Sequence, residues 1–104
     1  MGKRRYASIE GKEVKIKLNN NRIYNCIVTG SDFSIGLTLQ EKDTKRYIMC
    51  IHGPSDPYVK TIKDYSLKTH GKMMRYVYDT IKAGELIFFN EIQKICNQYI
   101  FDFA

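Results

Sequence analysis

The chain has 104 residues, a net charge of +6 and 43% hydrophobic residues. This length suits one domain with a packed core, and the composition excludes collagen-like, low-complexity and disordered chains. No apolar run approaches the ~18 residues that span a bilayer, and the basic start lacks the apolar stretch of a signal peptide. Three widely spaced cysteines argue against a disulfide framework and against zinc, so we expect reduced thiols, a cytoplasmic location and no cofactor.

Positive charge is concentrated at the start of the chain. Residues 1–22 hold seven cations and two acids, which is +5 of the net +6. This favours an anionic partner, and nucleic acid over membrane, because no basic amphipathic helix lies there. We expect residues 1–8 to form a basic arm in which Lys3, Arg4 and Arg5 contact phosphates. A solvated terminus and a solubilising surface are the alternatives.

Alternation with a period of two residues begins soon after this arm. Val14, Ile16 and Leu18 alternate with lysines, as in a strand with one buried and one solvated face. Similar patterns recur with tight turns between them. The predicted strands cover residues 14–18, 22–29, 35–41, 46–53 and 58–62. Five short strands so closely spaced predict a small barrel or a strongly bent sheet over residues 9–64.

Turn chemistry sets the expected strand boundaries. Asn20 and Asn21 suit a tight hairpin because asparagine tolerates the left-handed conformation. Gly30, at the start of a Gly-Ser-Asp sequence, is expected to open a second turn. Pro57 lacks an amide donor, so the predicted fifth strand should lie at an edge of the sheet or start just after this proline.

Helical periodicity replaces the alternation from Ser66 onward. Apolar residues recur at helical spacing in two runs. The first run comprises Met74, Val77, Tyr78 and Ile81, and the second comprises Phe88, Ile92, Ile95 and Tyr99. Gly84 is expected to end the first helix. Residues 65–104 are therefore predicted to form a helical extension packed on the barrel or on a neighbouring protomer.

Residues 11–41, GKEVKIKLNNNRIYNCIVTGSDFSIGLTLQE, resemble the first motif of the Sm/LSm family. The matching positions are Val14, Ile16, Leu18, Tyr24, Val28, Asp32, Leu37 and Leu39. The second motif, an apolar residue followed by Arg-Gly, is approximated by Ile51, His52 and Gly53. The resemblance covers about residues 9–62.

This resemblance implies a five-stranded, strongly bent antiparallel Sm-like (SH3-type) barrel over residues 9–64. Its protomers would join fourth strand to fifth strand in a ring. It also implies single-stranded RNA as the ligand, held around the pore, with no membrane and no small-molecule substrate. The implied interface residues are Tyr47, Met49, Tyr58, Val59 and Ile62. The implied RNA-binding residues are Asp32, Phe33, Ser34, Gly36, His52 and Gly53, together with the basic arm.

Three departures fall within the implied RNA pocket. Ser34 stands where the family has a residue that stacks on a base, and Gly36 where it has an asparagine that bonds the base edge. His52 replaces the arginine of the second motif. Phe33 and His52 remain the candidates for stacking. We therefore expect RNA binding with little sequence preference, and the alternative is an assembly protein that has lost the RNA pocket.

Asp32 itself has three interpretations. No second carboxylate or base lies at a local spacing that would support general acid–base catalysis, so we expect no enzyme activity. The residue can instead accept hydrogen bonds from the amides of its own loop, or help to order a loop that contacts nucleic acid. His52 is either a polar residue of the pore or a packed or surface histidine.

Overall fold

The computed structural model describes residues 6–57, 59–62 and 65–96, and the short strand formed by residues 101 and 102. Six strands form one curled sheet in the order β5-β1-β2-β3-β4-β6. The strands are β1 (Glu13–Lys17), β2 (Ile23–Asp32), β3 (Gly36–Glu41), β4 (Tyr47–His52), β5 (Ile87–Phe88) and β6 (Phe101–Asp102). The helices are α1 (Leu67–Lys82) and α2 (Phe89–Ile95), and a 3-10 turn spans Val59–Thr61.

Strands β1 to β4 pair as antiparallel neighbours. Strand β5 pairs with β1 in parallel, so the sheet is mixed rather than antiparallel throughout. Leu37 and Leu39 of β3 are buried, which confirms the predicted inward face. Asn21 has φ +67° in the turn between β1 and β2, the conformation expected of a tight hairpin.

The sheet curls where the strand register is irregular. One shift lies between Val28 and Gly30 on β2, and another between Leu39 and Gln40 on β3. A register shift of this kind leaves one residue of a strand unpaired, as in a β-bulge. Such a bulge bends the strand and increases its twist. The predicted position of the turn at Gly30 is wrong. Strand β2 continues through Asp32, and the chain turns at residues 33–35.

The predicted fifth strand is also wrong. Val59–Thr61 is a 3-10 turn, in which the Ile62 amide donates to the Val59 carbonyl. The Lys60 amide donates to the Asp56 carbonyl in the same way. Local bonds therefore occupy amides that a strand would have offered to a neighbour. The edge of β4 that was expected to pair with a fifth strand pairs with β6 instead.

Helix α1 begins after Ser66, whose hydroxyl accepts a hydrogen bond from the Thr69 amide. It ends at Lys82, two residues before Gly84, which has φ +70°. The predicted apolar face is buried against the sheet, with Met74, Val77 and Ile81 in one core with the strands. Two helices therefore follow the first four strands and pack on this chain.

The second helix confirms the prediction only in part. Ile92 is buried as expected, but Phe88 lies in β5 and is 41% exposed. Phe89 supplies the buried aromatic ring instead. Tyr99 lies outside the described residues. In the described part of the chain, no helix is long and apolar enough to cross a membrane.

Candidate nucleic-acid interface

Asp32 organises the turn that follows it. Its Oδ1 accepts hydrogen bonds from the Ser34 amide at 2.7 Å and the Ile35 amide at 3.0 Å. Asp32 closes β2 immediately before the turn, so its side chain lies over the next two amides. The prediction that this acid holds its own loop is confirmed.

The Asp32 turn rests against the loop after β4. The Ser34 carbonyl accepts hydrogen bonds from the Ser55 amide at 3.0 Å and the Ser55 hydroxyl at 2.6 Å. The Gly53 amide donates to the Ile35 carbonyl at 2.9 Å. We call residues 32–36 and 53–56, joined in this way, the loop junction.

Both strands at the loop junction are in close backbone contact. Gly36 pairs with His52 in the register of β3 and β4 and has φ +119°. A Cβ atom at position 36 would overlap the Ile51 carbonyl oxygen, and one at Gly53 would overlap the Ser34 carbonyl. The base-bonding asparagine that the family carries at position 36 cannot be placed here, because only glycine fits this backbone.

His70 connects helix α1 to the loop junction. Its Nε2–H donates to the Phe33 carbonyl at 2.8 Å, and the two rings meet edge to face with centroids 4.8 Å apart. The imidazole is fully buried, and burial lowers the pKa of His70 despite the opposing effect of the bond to Phe33. His70 is therefore neutral at pH 7.

The remaining ring nitrogen of His70, Nδ1, is buried. Nδ1 finds no hydrogen-bond partner within the described structure, and neither does the Tyr65 hydroxyl. The Tyr65 ring lies 6.1 Å from the imidazole, and burial raises the pKa of the Tyr65 phenol. A proton added at Nδ1 would therefore place a charge in a buried site, which is costly without a partner.

The Phe33 ring takes part in packing. It lies 6.1 Å from the Tyr6 ring as well as against His70, and both partners are buried. Tyr6, predicted to belong to the basic arm, also meets Tyr78 edge to face. An aromatic ring held in this way has little free face for a base.

His52 lies at the end of β4 with its Nδ1 3.1 Å from Asp56 Oδ2. Both side chains are partly exposed, so this pair borders the loop junction at the surface. Of the predicted RNA-binding residues, Gly36 pairs directly with His52, and Ser34 meets the loop that follows His52.

The implied interface residues are scattered by the fold. Tyr47 is 56% exposed, whereas Met49 and Val59 are buried within this chain. Ile62 is partly buried against the core. Tyr58 lies outside the described residues, as do Lys3, Arg4 and Arg5.

Two residues of the site were not predicted from the sequence. His70 has a sequence signal, because it precedes Met74 and Val77 by four and seven residues and so lies on the apolar face of α1. No sequence pattern indicates the role of Ser55, because this role depends on the Ser34 carbonyl, which lies 21 residues earlier in the chain.

The Cys26 thiol is not a nucleophile in this fold. The residue is fully buried, and burial together with the nearby Glu41 carboxylate raises the pKa of Cys26 to about 11. The thiol therefore stays protonated at neutral pH, and thiolate chemistry is suppressed.

No protein-family model, curated protein or solved structure matches this chain.

Replacing Asp32 with alanine removes the acceptor of two turn amides. We expect Asp32→Ala to lower the free energy of unfolding by about 1.5–3 kcal/mol, because the bonds it removes have a charged acceptor. Asp32→Asn keeps one oxygen acceptor and should be less destabilised. Urea denaturation of the three proteins measures this, and equal stability of Asp32→Ala and the parent would contradict the role.

The buried His70 predicts an acid-dependent decline in stability. Its pKa is lower in the folded chain than in the unfolded chain, so the unfolded chain binds the proton first as the pH falls. Stability should therefore decline below about pH 6.5, by at most about 1.4 kcal/mol per pH unit from this group.

Denaturation from pH 8 to pH 5 checks this contribution. The stability gap between the parent and His70→Gln should shrink as the pH falls. His52→Gln, which removes the other histidine, should leave the His70 contribution in place. A gap that stays constant over this range would contradict a buried neutral imidazole.

Proposed function

We propose that this chain is an Sm-like protein that forms a homo-oligomeric ring and binds single-stranded RNA with little sequence preference. The observation that carries the proposal is the loop junction. The two segments that the family resemblance assigns to RNA, around Asp32 and around His52, are far apart in sequence and meet through backbone hydrogen bonds.

Cations border this junction. Lys60 follows the loop after β4, and Lys68 and Lys72 lie in the first turns of α1; all three are exposed. Tyr6, which directly follows the basic residues of the arm, lies beside Phe33. Such an arrangement attracts a phosphate backbone irrespective of its bases.

Low sequence preference follows from how the junction is packed. The Ser34 carbonyl already accepts two bonds from Ser55, and Gly36 cannot carry a side chain. The Phe33 ring packs on His70. What remains for RNA at this end is charge, with the His52 ring at the surface.

The same packing favours a second candidate from a different class. The Phe33 ring packs against Tyr6, and the backbone contact requires glycine at position 36. Both residues are therefore explained by the fold without a ligand. The chain would then be an assembly protein whose oligomeric surface is its function. Retention on single-stranded RNA that falls with salt supports the first proposal, and no retention at low salt supports the second.

Neutralising the cations near the junction tests the RNA proposal. The slope of log affinity against log salt concentration should become shallower by about 0.7 for each phosphate contact that Lys60→Gln or Lys68→Gln removes. Deletion of residues 1–5 should make the slope shallower still. Lys82→Gln, at the opposite end of α1, is the matched control and should keep the parent slope. An unchanged slope in every variant would exclude this surface.

The ring proposal predicts that the protein is not a monomer. Within the described residues, β6 pairs with only Cys50 and Ile51 of β4, and Tyr47 on the same strand is exposed. Light scattering at micromolar concentration should give a multiple of 12.2 kDa. Tyr47→Lys, which places a charge on this strand, should shift the distribution towards the monomer. A parent mass near 12.2 kDa would contradict the ring.

A further inference from the structure

An open groove lies at the end of the sheet opposite the loop junction. It has a volume of about 310 Å³ and lies between the β1–β2 turn, β5 and the start of α2. The lining residues are Lys17, Leu18, Asn19, Asn21, Phe88 and Asn90. They comprise one cation, three amides and one aromatic ring, and none of them is a carboxylate.

Phe88 presents an aromatic ring in this groove. The residue is 41% exposed, while its neighbours Ile87 and Phe89 are almost completely buried. Its amide donates to the Tyr76 hydroxyl at 3.2 Å, and its backbone pairs with Lys17 of β1. The backbone contacts therefore fix the position of residue 88, and its partly exposed ring is available for stacking.

Three asparagine side chains line the same groove as Phe88. The Asn19 amide donates to Gln93 Oε1 at 2.8 Å, which ties the β1–β2 turn to α2 across one end of the groove. Asn21 occupies the turn with φ +67°, and Asn90 lies in the first turn of α2. Side-chain amides both donate and accept hydrogen bonds, as the edges of all nucleobases do.

We propose that this groove binds one nucleotide of a single-stranded nucleic acid. The base stacks on Phe88, the amides of Asn19, Asn21 and Asn90 bond its edge, and Lys17 neutralises the phosphate. Stacking on an aromatic ring tolerates every base, because every base has a π face. The site rests on this groove alone and goes beyond the proposed function, which concerns the opposite end of the sheet.

Charge selects a nucleotide over other ligands with a ring. The groove offers Lys17, and the exposed Arg22 lies in the same β1–β2 hairpin, where its carbonyl accepts from the Leu18 amide. An uncharged ligand would gain nothing from either cation. A purely apolar ligand would displace water from the exposed Asn21 and Asn90 amides without replacing its hydrogen bonds, which is costly.

Nuclear magnetic resonance on the intact chain tests the groove directly. Uridine 5′-monophosphate and adenosine 5′-monophosphate should both shift the side-chain amide signals of Asn19, Asn21 and Asn90 and the ring signals of Phe88. Ribose 5-phosphate, which lacks a base, should leave the Phe88 ring signals in place. Nucleotides that shift none of these signals at millimolar concentration overturn the proposal.

Affinity for a single-stranded RNA oligonucleotide tests the same residues in variants. Phe88→Leu should weaken binding about tenfold, whereas Phe88→Tyr keeps an aromatic ring and should bind as the parent does. Lys17→Gln should weaken binding and Lys82→Gln should not. Equal affinity of Phe88→Leu and Phe88→Tyr overturns the stacking role. Phe88→Leu is compared with Lys60→Gln and Lys68→Gln in the same assay. If Phe88→Leu binds RNA more weakly while both lysine variants bind as the parent does, RNA binds in the groove and not at the loop junction.

Discussion

The backbone contact between residues 32–36 and residues 53–56 is the constraint on which the rest of the structure depends. It requires glycine at two positions, because a Cβ atom at Gly36 or Gly53 would overlap a carbonyl group of the facing segment. His70 binds helix α1 to the same turn through the Phe33 carbonyl, and the Phe33 ring contacts Tyr6 near the start of the chain. One small region therefore joins the sheet, the main helix and the N-terminal segment. It also explains why the turn is poorly suited to reading bases, since its polar groups are already paired.

Residue patterns within single segments predicted the elements that bury one apolar face. Alternating apolar residues placed β1 to β4, and the spacing of Met74, Val77 and Ile81 placed α1, because each pattern reflects burial on one face. The segment after Pro57 has a strand-like composition, yet residues 59–61 form a 3-10 turn, and the β4 edge it was expected to approach is paired with β6. Phe88 and Phe89 are adjacent aromatic residues, so periodicity alone could not decide which one faces the core. Tertiary packing overrides local preference in both places.

The candidate site was predictable only where its chemistry is local. Asp32 is followed directly by the amides whose hydrogen bonds it accepts, so its role could be inferred from the turn sequence. The meeting of Ser34 with Ser55 depends on how the sheet curls, and no pattern in either segment encodes it. Gly36 looked like the loss of a base-binding asparagine, whereas its positive φ and tight surroundings make glycine a structural requirement. A substitution interpreted as lost function can thus be a residue that the backbone demands.

Native-state hydrogen exchange tests most directly whether the loop junction is one unit. The amides of Ser34, Ile35, Gly53 and Ser55 each donate within it, and all four should share one opening free energy, close to that of the strands beside them. Exchange at the rate of an unfolded peptide, or separate opening of the Asp32 turn and the Gly53 loop, would contradict a single unit.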